Sequence, residues 1–333
     1  MRRMQGGIPH VAAIIEEDLE DRDMGLFKPH IKGLADIAAF ILAVRNVNTS
    51  EIANVLPRDV KSDEERYRFI QRWLSNSRID PIRAMRGFIP DMMEALGQDG
   101  KTVILMMDQS KVSDGFECFM ISARVAERAV PVLWRVVRTE GEIGFSVQKE
   151  LLEALFAMIP EDIAILLTAD RFYGTAALIQ LCQYFGWKYR IRLKRNLILL
   201  HEGGEIQTGE ISKFGWSGIE NATLNQTGVV TNIGVLHEKG YSDSWIIAMD
   251  EKPSKGRVLD YGMRWGIEAL FSDMKTRGFG ITKTQLKDSS RIERLMLILS
   301  VASYWAVSTG MRPKPPRSKK KKKEVLSHTL NKG

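Results

Sequence analysis

The alternation of apolar and polar positions divides this chain into stretches with different periods. Residues 102–107 and 163–168 are uninterrupted apolar runs of strand length, the pattern of strands buried on both faces. Between them, residues 116–126 and 129–138 read as two strands joined at Glu127 and Arg128, followed by a helix over 147–158. A helix over 175–185 and a strand over 189–193 come next. Three strands in hairpin order, then alternating helix and strand, predict an α/β fold: a mixed sheet with helices on its faces. Residues 200–255 instead hold Gly, Asn and β-branched runs such as 228–235 and 244–249, a β-rich insertion. Upstream the period is helical. Leu34, Ile37, Ala38, Ile41 and Leu42 define a helix over 31–44, residues 49–56 a short second one, and residues 63–74 a third that turns Ile70, Trp73 and Leu74 inward.

These patterns divide the chain into an acidic N-terminal extension (1–24), an all-helical domain (25–98), a core in two parts (99–199 and 256–310) split by the insertion (200–255), and a basic tail (311–333). With 333 residues, two or three folding units are expected. No uncharged apolar stretch is long enough to span a membrane. The N-terminus lacks an apolar run ahead of Glu16 and Glu17, so no secretory signal is expected. Cys118 and Cys182 sit among apolar neighbours without metal-ligand spacing, which reads as two reduced core thiols and a cytoplasmic, nucleoid-associated protein. The net charge of +7 is concentrated in the tail, where nine Lys or Arg stand against Glu324 alone. Residues 1–310 carry −1, so any contact with nucleic acid must come from local patches.

Candidate chemistry gathers at three acids. Asp108 follows the first apolar run directly, and Asp170 follows the second after Ala169. Ligands collect where such strands end, although many aspartates there merely cap a turn. The third acid lies in a helix-forming stretch with Tyr261, Arg264, Glu268 and Lys275 at Y-x2-R-x3-E-x6-K spacing. At about 100° per residue these four share a stripe roughly 60° wide, with Ile267, Leu270, Phe271 and Met274 on a separate apolar face. The same spacing also fits an ordinary solvated helix face. Three carboxylates beside two cations and a phenol suit phosphodiester chemistry with divalent metal, because hard Mg2+ takes oxygen ligands and two such ions can run the displacement. No histidine is placed as an evident general base.

In these motifs the chain resembles bacterial insertion-sequence transposases of the DDE class, in the subgroup marked by the Y-x2-R-x3-E-x6-K helix. The resemblance rests on Asp108-Gln109-Ser110 after the first strand, on Ala169-Asp170-Arg171 with Tyr173-Gly174 after the next, and on Trp265, Ile267, Phe271 and Gly278-Phe279 around the helix. It covers approximately residues 30–310. It implies a ribonuclease-H-like core, with Asp108, Asp170 and Glu268 as catalytic and metal-binding residues. Two Mg2+ ions, replaceable by Mn2+, are implied as cofactors. The implied activity is cleavage of DNA at the terminal inverted repeats of its own element and strand transfer into target DNA, by a homodimer in the synaptic complex. Tyr261, Arg264 and Lys275 are then DNA-binding residues. The helical domain reads as a helix-turn-helix-like unit offering Arg66, Arg68 and Arg72, or as a plain bundle with a charged surface. Family members capture a base with a Trp of the insertion. Trp216, in a loop context, is the candidate here, whereas Trp245 opens an apolar strand and reads as core. Two other classes explain part of the pattern: an inactive transposase-derived DNA-binding protein, and a host nuclease sharing the core.

Overall fold

The structure, a computed structural model, describes residues 7–311 except 55, 57–61, 212–214, 225–226, 239–242 and 276. The expected basic tail, Met311 apart, lies outside the described residues. Among them, ten strands form one continuous sheet: β1 (Val103–Ser113), β2 (Phe116–Val125), β3 (Arg128–Arg138), β4 (Ile165–Ala169), β5 (Lys188–Arg192), β6 (Ile198–His201), β7 (Gly204–Gln207), β8 (Gly215–Leu224), β9 (Val229–His237) and β10 (Trp245–Met249). Their spatial order is β3-β2-β1-β4-β5-β10-β9-β8-β6-β7. The first three pair antiparallel, while β1–β4 and β4–β5 pair parallel. An antiparallel meander continued by two parallel strands, with helices on the faces, is the ribonuclease-H-like arrangement expected from the sequence.

One feature of the sheet differs from expectation. The first apolar run does not end at Asp108. β1 continues past Asp108 because the hairpin with β2 stays in register, Asp108 opposite Met120 and Lys111 opposite Glu117, and after a shift at Lys111 it ends at Ser113 opposite Phe116. Residues 108–111 are therefore strand, held on one side only. The β-rich insertion also joins the core sheet. β10 pairs antiparallel with β5 (Ile247 with Arg192, Met249 with Arg190), so the 198–249 strands prolong the core sheet. β5, with buried Tyr189 and Ile191, would otherwise leave an unpaired apolar edge.

Among the described residues, six α-helices precede the sheet: α1 (Ile8–Glu20), α2 (Lys28–Val44), α3 (Thr49–Ala53), α4 (Asp63–Leu74), α5 (Pro81–Met85) and α6 (Ile89–Gly97). The acidic lead is not a loose extension: α1 buries Ile8, Ala12, Ile15 and Leu19 and packs on α2, while its carboxylates face outward. α4 starts where Ser62 accepts from the Glu65 backbone N–H, and Asp63, Glu64 and Glu65 suit the positive end of the helix dipole. Helices α7 (Phe145–Phe156) and α8 (Ala176–Phe185) cross between strands, and α9 (Lys255–Leu259), α10 (Gly266–Met274) and α11 (Ser289–Met311) close the chain. α11 joins the halves. Glu293 accepts from the Val136 backbone N–H of β3 at 2.8 Å, and the Arg294 guanidinium donates to the Leu74 and Ile79 carbonyls at 3.0 and 2.9 Å. Among the described residues no helix is long and apolar enough to cross a membrane.

Candidate active site

β4 stops at Ala169, paired with Met107 of β1, so the next residues, Asp170 and Asp108, lie side by side at the end of the parallel pair. Asp170 turns the chain sharply: its Oδ1 accepts from the Arg171 N–H at 2.6 Å and its carbonyl from the Tyr173 N–H at 2.9 Å. The turn then passes so close to the end of β5 that a Cβ on Gly174 would stand 2.3 Å from the Arg192 carbonyl oxygen. Only glycine fits there, and the close approach fixes where Asp170 points.

The third acid arrives from the other end of the chain. Tyr261 and Arg264 do not share one α-helix with Glu268, as the spacing predicts. They lie in a 3-10 turn, Asp260–Trp265, that runs into α10, and Lys275 lies just beyond that helix. Gly262 and Gly266 weaken the α-helix here. Convergence survives because side chains three apart eclipse in a 3-10 turn, and Arg264 and Glu268 remain four apart at the junction. The predicted apolar face is present, with Ile267, Leu270, Phe271 and Met274 all buried; each contributes roughly 1.5–3 kcal/mol. A buried strut positions the turn. Arg190 of β5, 2 % exposed, donates to the Arg257 carbonyl at 3.1 Å, pairs with Asp250 at 3.0 Å and Glu251 at 2.7 Å, and lies 3.7 Å from Asp260.

Five side chains then interlock. Tyr261 Oη donates to Asp170 Oδ1 at 3.1 Å. Arg264 Nη1 donates to Asp108 Oδ2 at 2.9 Å and Nη2 to Glu268 Oε1 at 2.5 Å. Arg264 is 7 % exposed, Asp108 24 % and Glu268 56 %, so the site runs from a buried cation to an open acid. Burial pushes the Asp108 carboxyl above its usual range despite Arg264 beside it. For Arg264, burial works against the charge, but Tyr261, Asp108, Asp170 and Glu268 outweigh it and hold the guanidinium above its ordinary value. Burial pushes the Tyr261 phenol up to about 12, keeping it a hydrogen-bond donor at neutral pH.

The flanking residues hold the frame. Gln109 donates to the Gly141 carbonyl at 3.2 Å and accepts from the Ile143 N–H at 2.9 Å, pinning the loop that leads into α7. Lys275 Nζ reaches Ser110 Oγ at 2.5 Å, tying the end of α10 to β1. The three carboxylates are oxygen donors of the kind a hard divalent ion prefers. Two further polar atoms there, Tyr173 Oη and Arg264 Nε, are buried without a protein partner. Among the described residues, however, no three Asp, Glu, His or Cys side chains are grouped closely enough to hold an ion between them. The donor chemistry fits a divalent metal, and a shared ion requires Arg264 to release a carboxylate.

Residues 146–305 match the transposase DDE domain family. The match supports a DDE transposase. The matched span contains Asp170 and Glu268 and starts after Asp108, which lies beside Asp170 through the sheet register. No curated protein matches the chain. Among solved structures it is similar to the piggyBac transposase synaptic complex with hairpin DNA, at a TM-score of 0.46 and 11 % identity over 86 % of this chain and 68 % of that one.

The remaining predicted residues lie apart from this cluster. Arg66 donates to the Ala53 carbonyl at 2.8 Å and pairs with Asp63, Arg68 pairs with Glu64 at 3.0 Å, and Arg72 is exposed on α4. Trp216 is not in a loop. It sits in β8 opposite Leu236 of β9, 38 % exposed, with its ring over Gly218 and Gly234. The indoles beside the acids are others. Trp245, expected in the core, packs edge-on against Tyr261 with ring centroids 5.2 Å apart, and against exposed Trp265 at 5.8 Å. Apolar neighbours of Trp245 in sequence masked this, because alternation along β10 turns it away from Ile246. Arg190 and Tyr173 carried no signal beyond strand and turn context; Gly174 did, as the invited close approach after Asp170.

Proposed function

We propose that this chain is a bacterial insertion-sequence DDE transposase of the Y-x2-R-x3-E-x6-K subgroup, which cuts DNA at the ends of its element and joins those ends to target DNA. The convergence of Asp108, Asp170 and Glu268 on Tyr261 and Arg264 carries this reading. Asp108, Asp170 and Glu268 hold Mg2+, or Mn2+ in its place. When bound, two such ions would activate the attacking oxygen and stabilise the leaving one. Tyr261 orients Asp170, and Arg264 sets the spacing of Asp108 and Glu268 until DNA phosphate competes for its guanidinium. Lys275, at the rim by Ser110, adds a cation for the strand backbone, a contact that positions DNA without reading its sequence. Helices within 25–98, with Arg72 exposed, bind the inverted repeats, and the active assembly is a homodimer.

The test is cleavage of duplexes carrying the DNA that flanks this reading frame, where the proposal expects short inverted repeats. Strand cutting that needs Mg2+, is lost in Asp170→Ala and leaves end-binding intact supports the reading. Tight end-binding without any cutting by the wild-type protein points instead to an inactive transposase-derived DNA-binding protein.

A further inference from the structure

Two adjacent residues of α11 grip different halves of the molecule. Glu293, 8 % exposed, holds the sheet: its Oε1 accepts from the Val136 N–H of β3 at 2.8 Å, and its carbonyl accepts from Trp134 Nε1 at 3.1 Å. Arg294, 7 % exposed, holds the helical domain. Its Nη1 donates to the Leu74 carbonyl at 3.0 Å and to Ser290 Oγ at 3.1 Å, and its Nε to the Ile79 carbonyl at 2.9 Å. Arg291, three residues earlier, donates to Gln71 Oε1 of α4, and Gln71 Nε2 donates to Thr49 Oγ1 of α3 at 3.2 Å.

Both grips lead towards function. Leu74 closes α4, two residues beyond exposed Arg72. Val136 stands opposite Cys118 of β2, and Cys118 opposite Ser110 of β1, so Glu293 holds a row of the sheet that ends two residues from Asp108. With strands about 4.8 Å apart, that row reaches β1 over about 10 Å. The chemistry of Arg294 is costly for a packing residue. Its hydrogen bonds all go to uncharged oxygens, and burial pulls its pKa below the ordinary value. An apolar side chain of similar size would fill the space, but it would let α4 slide against α11. A planar fork with fixed donor directions does not.

We propose that Arg294 and Glu293 form a spacer joint that fixes the distance from the end-binding helix α4 to the acids, and so selects which phosphodiester is cut. The proposal rests on the transposase reading for the cut itself. Successive phosphates of one strand lie about 3.4 Å apart along a duplex, so a slip of about that length brings the neighbouring bond to the acids. Hydrogen bonds of 2.8–3.0 Å to backbone groups on both sides leave no room for such a slip. Both side chains are buried, so they act through α4 and β3. They are positioning residues, and the cut's place rather than its rate is what they control.

Cut positions on an end-labelled duplex of the DNA flanking this reading frame, resolved to single nucleotides in Mg2+, test the proposal, together with hydroxyl-radical footprints of the same complexes. Arg294→Lys keeps the charge without the fork, and Arg291→Met loosens the same joint at a less buried place. Both should bind the end as the wild type does and move part of the cuts by about one or two nucleotides. Their footprints should blur between the tract covered by the helical domain and the tract covered by the core. Glu293→Gln, which still offers an oxygen to the Val136 N–H, should keep the wild-type cut. Thermal melting identifies the variants that are folded at the assay temperature, and lost fold lowers the amount of product without moving the cut. A single unshifted cut in folded Arg294→Lys and Arg291→Met overturns the proposal, whatever the rate. A wild type that binds the end without cutting rejects the transposase reading instead. The footprint then decides the joint alone, and two tracts at unchanged spacing in both variants overturn it.

Discussion

Replacing Arg264 with methionine removes the cation that the acids surround while keeping most of its volume. Asp108 loses a largely buried partner at 2.9 Å, and Glu268, half exposed, loses a partner at 2.5 Å. Breaking a buried pair from one side costs about 3–5 kcal/mol, and the lower figure applies because Asp108 keeps some contact with water. The exposed Glu268 pair adds about 0.5 kcal/mol. The expected loss is thus about 3–4 kcal/mol, a fall of roughly 4–6 °C in melting temperature for a chain of this size. The loss must also depend on pH in a defined direction. Burial already raises the Asp108 carboxyl above its ordinary value of 3.8, and Arg264 is the largest influence pulling it down. Without Arg264 it rises further, so the folded state holds the proton more firmly than the unfolded chain. Stability from this group is then lost as pH rises from the unfolded value through the raised folded one. Calorimetry of wild type and Arg264→Met should show a deficit that is larger at about pH 8 than at about pH 5. A deficit equal at both pH values, or none, would refute the claim that Arg264 neutralises Asp108.

Other substitutions test the frame around the site. Gly174→Ala places a Cβ 2.3 Å from the Arg192 carbonyl oxygen and should cost about 1–3 kcal/mol by overpacking; thermal melting measures it, and strand cutting should fall further because Asp170 moves with the turn. Tyr261→Phe removes one hydrogen bond to Asp170 at 3.1 Å, should cost about 1 kcal/mol, and should slow cleavage with end-binding unchanged in a gel-shift assay. Lys275→Ala should weaken binding to all end sequences alike and lower the salt slope by about one unit; a loss confined to one base pair's identity would make Lys275 a base reader.

What could be read from the sequence is what short-range patterns encode. The apolar runs matched β2 to β5 to within about two residues, and the helical spacing of Ile70, Trp73 and Leu74 matched α4, which spans Asp63–Leu74. The three acids were legible because strand ends and the Tyr261-to-Lys275 spacing are local. Long-range pairing was not. Nothing local tells β1 to continue past Asp108, since the register with β2 decides it, and nothing in 198–249 announces that β10 will cover the edge of β5. The settings of Trp216 and Trp245 were hidden for the same reason. Trp216 has the more loop-like neighbours, yet pairing with β9 makes it strand, while Trp245 reaches Tyr261 only because β10 lies next to β5. The cation at the centre of the acids could be placed near them by spacing, but its hold on both Asp108 and Glu268 appears only in three dimensions.

The central claim is that Asp108, Asp170 and Glu268 form one metal-dependent centre for DNA cleavage. The most direct measurement is anomalous scattering from Mn2+ in crystals of the protein bound to its end DNA. The account predicts Mn2+ density bounded by carboxylate oxygens of Asp108 and Asp170 and reached by Glu268, with Arg264 turned from at least one acid towards a phosphate. Mn2+ bound elsewhere, or an Arg264 still bridging Asp108 and Glu268 in a complex that cuts DNA, would contradict it.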